Sequence, residues 1–372
     1  MIALDVLRLL FGFATCLGII YCAVTVFGML RFQWRAVHVP QDYPLITILK
    51  PIHGLEVELF ENLCSFCDQE YPHYQVLFGV RDADDPAIPE IERVIAAFPG
   101  RDLRLIVEAR PYTGNPKIAN LANLLPHASG EILAIADADM RVDRRYLASI
   151  AADFDEPRVG AVTCLYAGDP RGKLASELAA MQLNDQFAPS VLVATITGDP
   201  SFCFGSTMAV RRTVLDEIGG LAALAPTIAD DYMLGALVTK AGYRVRLSRY
   251  LVNNIVSEPS IKAMLAHELR WARTIRAMRP LGYASTIVTF PLPFAIVTVL
   301  LEPAHSAAWI ALGVALAMRL NMHALMSQLF RLKNQDKFFW LIPYRDCLGL
   351  GVWAAGLFGD TVVWKDKTLK TR

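Results

Sequence analysis

Three groups of acidic residues stand where carboxylates could bind a metal ion or move a proton. The groups are Asp82, Asp84 and Asp85, then Asp137 with Asp139, and finally Asp230 with Asp231. The first two groups follow short apolar runs that are typical of buried strands, and the third opens a helical pattern. Ligands of open α/β sheets bind beyond the carboxyl ends of the strands. We therefore expect the three groups to contribute to one site.

The spacing of Asp137 and Asp139 allows both carboxylates to project toward one point as the chain turns after a strand. Mg²⁺ typically takes one or two carboxylates and completes its octahedron with phosphate oxygens and water. The pair therefore predicts a site for a diphosphate and a divalent metal, Mg²⁺ or Mn²⁺. The alternative is that these residues only form a turn or cap a helix.

Asp230 and Asp231 also have two interpretations. Aspartate at the start of a helix can cap it and interacts favourably with the helix dipole. In the functional interpretation Asp231 is a general base that takes a proton from an acceptor hydroxyl, which typically contributes ~10²–10⁴ in rate. The sequence leaves both interpretations open.

A basic helix, HELRWARTIRAMR, begins at His267. Arg270 could bind a diphosphate, and Trp271 could stack on a sugar or on an acceptor. The alternative is a helix at a membrane surface, with its arginines among lipid headgroups. We assign Arg270 and Trp271 to the site and Arg273, Arg276 and Arg279 to the membrane surface.

The elements that must position these residues alternate between apolar runs and helical patterns. We predict strands at 45–51, 74–80, 102–108, 131–138 and 159–166, and helices at 56–70, 87–98, 117–125 and 144–154. This alternation predicts an α/β fold with a doubly wound, mainly parallel sheet, whose strands are buried on both faces. Gly-x-Gly-x-x-Gly and Walker-type loops are missing from the sequence, which argues against dinucleotide-binding and P-loop proteins.

The beginning of the chain predicts a membrane anchor. The chain has 372 residues, of which 54% are hydrophobic, against ~45–50% in soluble domains. Leu9 to Leu30 carries no charge over 22 positions, which is enough to cross a hydrocarbon layer of ~30 Å. A signal peptide has a shorter apolar region of about 7–15 residues, so we expect an uncleaved anchor. Arg31 and Arg35 follow it, and this favours a cytoplasmic position for the next domain.

Three further apolar runs lie near the end of the chain. They are 281–301, 303–330, which one arginine interrupts, and 338–358. The last run carries Arg345 and Asp346 in its middle. A charge at the bilayer centre costs ~2.5–3.5 kcal/mol on the scale derived from membrane-insertion experiments, which gives the lowest values. We therefore expect that run to lie in the interface or to re-enter the membrane.

The expected organisation has three parts. These are an anchor at 1–30, a cytoplasmic α/β domain at 31–280, and transmembrane and interfacial helices with a basic tail at 281–372. The 36 basic and 36 acidic residues give zero net charge, which argues against a nucleic-acid-binding protein. The sequence does not indicate an oligomeric state.

Several blocks of the sequence together resemble the ceramide glucosyltransferase family of inverting GT-A glycosyltransferases. The first block is LKPIHGLEVELFENLCSFCDQEYPHYQVLFGVRDADDPAI, and GNPKIANL, DADMRV, FCFGSTMAVRR, ADDYMLG and HELRWART follow in the family's order. The matching segment runs from about Ile46 to Arg276. The resemblance implies an integral membrane enzyme that uses a UDP-sugar donor, a lipid acceptor and a divalent metal.

The resemblance also implies roles for single residues. Asp82 would contact the uridine, Lys117 would lie near the nucleotide, Asp137 would bind the UDP-sugar and the metal, Asp231 would be the base, and Arg270 and Trp271 would be the RW of the (Q/R)xxRW motif. Asp139, which we expect beside Asp137 in the UDP-sugar and metal site, completes a DxD here. This sequence departs from the family at two positions. Asp139 stands where the family often has a small residue, and His267 stands at the Gln/Arg position of the motif.

The segment from His267 to Ile296 also resembles a hopanoid-associated bacterial branch of the family. That branch implies transfer of N-acetylglucosamine to a bacteriohopane hydroxyl, whereas the ceramide branch implies transfer of glucose to ceramide. Two alternatives remain beside both. One is a processive polysaccharide synthase of the same fold, which normally needs more membrane crossings, and the other is a catalytically inactive binding protein at the membrane surface.

Overall fold

The structure is a computed structural model, and it describes residues 2–110, 114–227, 229–332, 338–359, 361–364 and 367–370. The chain divides into two units. The sheet unit consists of Arg35–Ala167 and Thr197–Ile255, and the helical unit consists of Met1–Trp34, Gly168–Ile196 and Val256–Arg372. The domain division predicted from the sequence, at residues 30 and 280, stays a prediction.

Ten strands are present in the described residues. They are β1 Ile46–Pro51, β2 Tyr74–Val80, β3 Asp102–Val107, β4 Ile132–Ile135, β5 Met140–Arg141, β6 Val159–Pro170, β7 Met208–Arg211, β8 Arg244–Val256, β9 Thr361–Trp364 and β10 Lys367–Lys370. The last two form a separate antiparallel pair. The predicted basic tail lies partly outside the described residues.

Fourteen α-helices are present in the same residues. They are α1 Ile2–Gln33, α2 Leu59–Cys67, α3 Ile88–Ala97, α4 Pro116–Leu124, α5 Tyr146–Asp153, α6 Leu174–Gln182, α7 Ala188–Ala194, α8 Arg212–Glu217, α9 Asp230–Lys240, α10 Ile261–Met278, α11 Pro280–Ser285, α12 Pro291–Leu301, α13 Ser306–Leu329 and α14 Ile342–Gly356. A π-helical turn, Leu183–Phe187, connects α6 to α7.

The main sheet has eight strands in the order β3-β2-β1-β4-β7-β6-β8-β5. The first four strands of this order are parallel, with Ile46 of β1 opposite Tyr74 of β2 and Ile132 of β4. The α/β fold predicted from the sequence is therefore confirmed. From β4 onward the sheet becomes mixed, because β7 is antiparallel to both β4 and β6, and β5 is antiparallel to β8.

Both faces of the parallel strands are buried. Ile48 of β1 and Phe78 of β2 belong to one hydrophobic cluster. Their chain neighbours Leu49 and Leu77 belong to the other cluster. Successive side chains of a strand point to opposite faces, so continuous apolar runs fill both clusters. The edge strand β3 differs, since its residues are only half-buried or exposed.

Two described helices of the helical unit, Ile2–Gln33 and Ser306–Leu329, are long and apolar enough to cross a membrane. The first contains the anchor predicted at Leu9 to Leu30. The prolines in the second predicted run do break it, because Pro280–Thr289 and Pro291–Leu301 meet at a bend of 60°.

The two charges that led us to expect an interfacial position for 338–358 are paired inside the helical unit. Arg345 and Asp346 are both 0% exposed. Arg319 donates from Nε and Nη2 to the two carboxylate oxygens of Asp346 at 2.9 and 2.6 Å, and Arg345 donates to Glu268 at 2.8 Å. Pairing therefore offsets much of the cost of burying these charges.

Two arginines of α10 that we assigned to the membrane surface have protein partners. Arg273 donates to the carbonyl oxygens of Phe358 and Thr361 at 3.0 and 2.8 Å. Arg276 donates to the carbonyl oxygens of Leu357 and Gly359. These arginines satisfy carbonyl groups beyond the end of α14, a role that cations at helix C-termini commonly take.

Candidate active site

The Asp137–Asp139 turn begins two residues beyond the end of β4 and is held from both sides. Lys50, at the end of the neighbouring strand β1, donates from Nζ to the carbonyl oxygen of Asp137 at 2.5 Å. On the other side, Asn254 of β8 donates from Nδ2 to Oδ2 of Asp139 at 2.8 Å. The backbone N–H of Ile255 donates to the Asp139 carbonyl at 2.8 Å. The two carboxylates are thus fixed at the carboxyl edge of the parallel strands.

The Asn-Pro-Lys segment directs Lys117 toward these carboxylates. The side chain of Asn115 caps α4 by accepting a hydrogen bond from the backbone N–H of Lys117 at 2.9 Å, and Pro116 occupies the first turn. Nζ of Lys117 lies 2.7 Å from Oδ1 of Asp137 and 3.3 Å from Oδ2 of Asp230. A single ammonium group therefore bridges two acidic groups that are far apart in the sequence.

Asp230 and Asp231 occupy the first turn of α9, whose N-cap residue is Ala229. Helix α9 can approach the loop before β7 because Gly235 has no side chain, and a Cβ there would lie 2.3 Å from Cα of Phe202. Asp231 accepts hydrogen bonds from the backbone N–H groups of Tyr232 at 2.7 Å and Gly205 at 3.1 Å. Asp231 is therefore held by backbone donors and does not serve as the cap.

Gly205 lies between two of the acidic groups. A Cβ at this position would lie 2.8 Å from Oδ2 of Asp137 and 3.8 Å from Oδ2 of Asp231. The absence of a side chain thus allows the two carboxylates to share one small region. We call Lys117, Asp137, Asp139, Asp230 and Asp231 the carboxylate cluster, and the structure brings all five together within the sheet unit.

Burial and mutual repulsion control the charges of the carboxylate cluster. Burial, with the negative charge of Asp230, raises the pKa of Asp231 to about 6. Burial, with the charge of Asp137, raises the pKa of Asp139 to about 6. Burial alone would lower the pKa of Lys117, but Asp137 and Asp230 outweigh it and raise the pKa. Lys117 is therefore a permanent cation at neutral pH.

Sequence reasoning missed two residues of this region. Lys50 is 0% exposed, and burial lowers its pKa to about 7 against the opposing effect of Asp137 and Asp139. The signal that could have revealed Lys50 is a lysine inside the apolar run ITILKP, because lysine is almost never fully buried without a partner. Burial also raises the pKa of Tyr166 on β6, and Asp231 and Asp139 raise it further.

The acidic group after β2 separates into an exposed part and a buried part. Asp82 is exposed and accepts a hydrogen bond from the backbone N–H of Asp84 at 3.1 Å. Asp85 is buried and accepts from the backbone N–H groups of Gly54 and Ala87 at 2.9 Å each. Asp85 thus stabilises the loop, while the predicted contact of Asp82 with a uridine stays a prediction.

Arg270 and Trp271 lie on α10 of the helical unit. Nδ1 of His267 is 2.9 Å from Oε1 of Glu258, and the His267 ring lies 4.3 Å from the ring of Trp271. The residue at the unusual position of the RW motif therefore supports the tryptophan. The roles predicted for Arg270 and Trp271 in the site stay predictions.

Asp137 and Asp139 have the chemistry that a hard divalent cation requires. Asp137 already holds a cation, the Lys117 ammonium. Burial, with the charge of Asp137, raises the pKa of Asp139, and a nearby cation would favour its ionised form. Within the described part of the chain, no set of three or more His, Cys, Asp or Glu side chains could hold a metal. Two carboxylates fit a cation whose remaining ligands are phosphate oxygens and water.

The fold is shared with a glycosyltransferase of known structure. A mannosyltransferase from Pyrobaculum calidifontis, solved with GDP-Man and Mn²⁺, superposes with a TM-score of 0.54 at 19% identity, over 92% of this chain and 97% of that one. The predicted GT-A-like fold is thereby confirmed.

Sequence comparison then gives the family. The model of glycosyl transferase family 21 matches residues 11–372, and this chain belongs to that family. Ceramide glucosyltransferase 3 of Caenorhabditis elegans is 25% identical over 272 residues, and ceramide glucosyltransferase 1 of the same organism is 22% identical over 270 residues. These segments cover 73% and 72% of this chain but only 59% and 57% of the relatives. The resemblance to the ceramide glucosyltransferase family is confirmed.

Proposed function

We propose that this protein is a membrane glycosyltransferase that transfers a hexose from a UDP-sugar to a lipid hydroxyl with inversion. The observation that supports this most directly is the carboxylate cluster. Lys117 pairs with both Asp137 and Asp230. Asp137 and Asp231 both lie beside Gly205, where a Cβ would be 2.8 Å from the first carboxylate and 3.8 Å from the second. Donor-binding groups and a candidate base thus stand side by side within one unit.

Asp231 is the proposed general base. Its pKa of about 6 keeps it ionised at neutral pH, yet makes it a stronger base than an ordinary aspartate. The backbone N–H groups of Tyr232 and Gly205 hold its two oxygens in place. In the proposed reaction Asp231 takes the proton of the lipid hydroxyl while the oxygen attacks the anomeric carbon from the face opposite the leaving UDP.

Asp137 and Asp139 are the proposed ligands of Mg²⁺ or Mn²⁺. Such a cation, when bound, supplies positive charge that stabilises the leaving diphosphate. Lys117 supplies a second positive charge beside Asp137, and its bridge to Asp230 keeps the ammonium in place. Asp82, Arg270 and Trp271 are proposed, from the family resemblance, to contact the uridine, the diphosphate and the acceptor.

The relatives support a choice of acceptor and sugar within this proposal. The two nematode relatives are ceramide glucosyltransferases, which favours glucose and ceramide. N-acetylglucosamine and a hopanoid hydroxyl are the alternative pair implied by the segment after His267. The catalytic residues are proposed to face the cytoplasm, because Arg31 lies in the last turn of the first apolar helix and Arg35 follows that helix.

The test is UDP release by purified protein in lipid nanodiscs, with UDP-glucose or UDP-N-acetylglucosamine and with ceramide or a bacteriohopane polyol. Wild-type protein should release UDP only when a lipid hydroxyl is present, and mass spectrometry should show one added hexose or one added N-acetylhexosamine, according to the donor. Asp231→Asn should abolish transfer but retain UDP-sugar binding. Asp216→Asn, at an exposed position of the same unit, should leave both unchanged.

Three results would contradict the proposal. Transfer by Asp231→Asn at the wild-type rate would remove the base. A polymer product would favour a processive synthase. The absence of UDP binding by wild-type protein would favour a non-catalytic protein of the membrane surface.

A further inference from the structure

A cluster of charged and amide side chains is buried inside the helical unit, and one half of it is fully paired. Arg319 and Asp346 form a two-pronged ion pair at 2.9 and 2.6 Å. Nδ1 of His323 lies 2.9 Å from Asp185, whose backbone carbonyl accepts from Arg319 at 3.1 Å. This half has the paired arrangement expected of charges inside a membrane protein.

The other half of the cluster is not satisfied. Gln186, Glu268 and Arg345 are 4%, 5% and 0% exposed. Nη2 of Arg345 donates to Glu268 at 2.8 Å and to Gln182 at 2.6 Å. Five other side-chain atoms of these residues find no hydrogen-bond partner among the described residues, namely Nε2 and Oε1 of Gln186, Oε1 of Glu268, and Nε and Nη1 of Arg345.

The unsatisfied groups belong to one region of the unit. Both amide atoms of Gln186 lie within 3.0 Å of the point where a Cβ of Gly349 would stand. Gly349 is one helical turn after Arg345 on α14, so the Gln186 amide lies against the turn of α14 that follows the turn carrying the Arg345 guanidinium. Gln186 itself lies on the π-helical turn Leu183–Phe187, a type of turn that is frequent at functional sites.

The chemistry of the five atoms defines the ligand that would satisfy them. Gln186 and Arg345 offer donors, whereas Gln186 and Glu268 offer acceptors. An anionic headgroup is disfavoured by the Glu268 carboxylate, and a cationic one by the Arg345 guanidinium. A neutral group that both donates and accepts, such as a hydroxyl or a secondary amide, is complementary to this set.

We propose that Gln186, Glu268 and Arg345 form a binding site for the neutral polar end of a lipid, through its hydroxyl or amide groups. The inference rests on the proposed function in one respect, since the acceptor of that reaction is the lipid that would enter here. Native proteins leave few buried polar groups unpaired, and the paired half of the cluster shows that this unit can satisfy such groups. The unpaired half is therefore interpreted as a recognition surface.

The experiment measures lipid binding without any donor sugar, so that it does not depend on catalysis. Purified full-length protein in nanodiscs is titrated with a short-chain ceramide or with a bacteriohopane polyol, and bound lipid is counted by native mass spectrometry. We expect Gln186→Leu to bind roughly tenfold more weakly than wild type, because a ligand hydrogen bond is lost. Asn321→Leu, an amide-to-leucine change at an exposed position of α13, should bind as wild type does.

A second measurement uses the unchanged protein and so does not depend on the folding of a variant. An O-methylated, N-methylated ceramide and a permethylated polyol cannot donate hydrogen bonds and should bind wild type roughly tenfold more weakly than the parent lipids. Equal binding of methylated and parent lipids, or no binding of either parent lipid, would overturn the inference. Unchanged lipid affinity in Gln186→Leu together with a raised melting temperature would also overturn it, since the groups would then hold only buried water.

The two proposals fail in different ways. If Asp231→Asn and wild type both bind the parent lipids but neither transfers sugar, the proposed function fails and the lipid site stands. If wild type transfers sugar but Gln186→Leu keeps the wild-type KM for lipid and the wild-type KM for UDP-sugar, the lipid site fails and the function stands.

Discussion

Nζ of Lys117 lies 2.7 Å from Oδ1 of Asp137, so the carboxylate that follows β4 is already paired with a cation of the protein. The same ammonium reaches Asp230 at 3.3 Å. Lys117 thus pairs with both carboxylates, so that each of the three charges has a partner of opposite sign. The pairing also holds the first turn of α9 close to the end of β4.

Removal of this ammonium is expected to destabilise the protein. Lys117→Met leaves the buried Asp230 without its counterion, which costs roughly 1–3 kcal/mol in the free energy of unfolding. The double variant Lys117→Met with Asp230→Asn should recover part of the loss. Thermal unfolding in detergent measures both changes, and Lys240→Met, at the exposed end of α9, is the control. A double variant no more stable than Lys117→Met alone would show that the bridge does not matter.

The pKa of Asp231 predicts an acid limb in the rate profile. A base with a pKa of about 6 must be ionised, so kcat/KM should fall about tenfold per pH unit below pH 6. An ordinary aspartate, with its pKa of 3.8, would keep the rate constant to about pH 4. Burial also raises the pKa of Asp139 to about 6, and Asp139 is proposed to bind the donor. The dissociation constant of the UDP-sugar is therefore measured across the same pH values.

The same shift gives the sign of an effect on stability. Because the folded-state pKa of Asp231 lies above its unfolded value, folding favours the protonated form. The contribution of this group to the free energy of unfolding therefore increases as the pH falls from about 6 to about 4. Asp231→Asn should melt at a higher temperature than wild type at pH 7, and a lower melting temperature would contradict the assigned direction.

Gly205→Ala tests the close approach of Asp137 and Asp231. The added Cβ would lie 2.8 Å from Oδ2 of Asp137, so the carboxylate must move. A displacement of about 1 Å at a catalytic group can cost ~10² in rate, and we expect a loss of that order in kcat/KM. Gly198→Ala, where a Cβ meets no atom within 4 Å, should retain wild-type activity. Equal rates for the two variants would argue against the assignment of the site.

The buried pair of Arg319 and Asp346 is expected to stabilise the helical unit only as a pair. Arg319→Met leaves a carboxylate that is 0% exposed without its partner, at a cost of about 3–5 kcal/mol. Arg319→Met with Asp346→Leu should restore most of the stability, because an apolar pair of similar volume avoids the buried charge. Melting temperatures in detergent measure this, with Arg331→Met at an exposed position as the control. A double variant as unstable as the single one would be inconsistent with an ion-pair role.

The sequence predicts the parallel half of the sheet well because its strands are continuous apolar runs. YQVLFGV matches β2 residue for residue. The antiparallel half is harder to predict, since β5 has only two residues and the pattern RVRLSRYLVNNIV of β8 mixes polar and apolar positions. Pairing between such strands depends on long-range packing that periodicity does not record.

Residues of the candidate site could be predicted from the sequence where their type is unusual at their position. They could not be predicted where their role depends on a partner that is distant in the chain. Aspartates after a buried strand or at the start of a helix can be recognised in the sequence, and Asp137, Asp139 and Asp231 were predicted from such positions. Lys50 acquires its role from a carbonyl group that lies 87 residues away in the chain. Arg345 and Asp346 are a second example. As single charges in an apolar run they predict an interfacial segment, but in the structure each is buried with a partner of opposite charge.

In the helical unit, α1 contacts α7 and also two helices, α12 and α13, that lie far later in the chain. Arg8 donates to the carbonyl of Leu301, and Gln33 donates to the carbonyl of Leu329, at separations of 293 and 296 residues. During synthesis at ~5–20 residues per second, these partners emerge about 15–60 s after the helix that needs them. For that interval lipid or the insertion machinery must accommodate the part of α1 that α12 and α13 later cover, and this packing can form only after residue 329 has been synthesised.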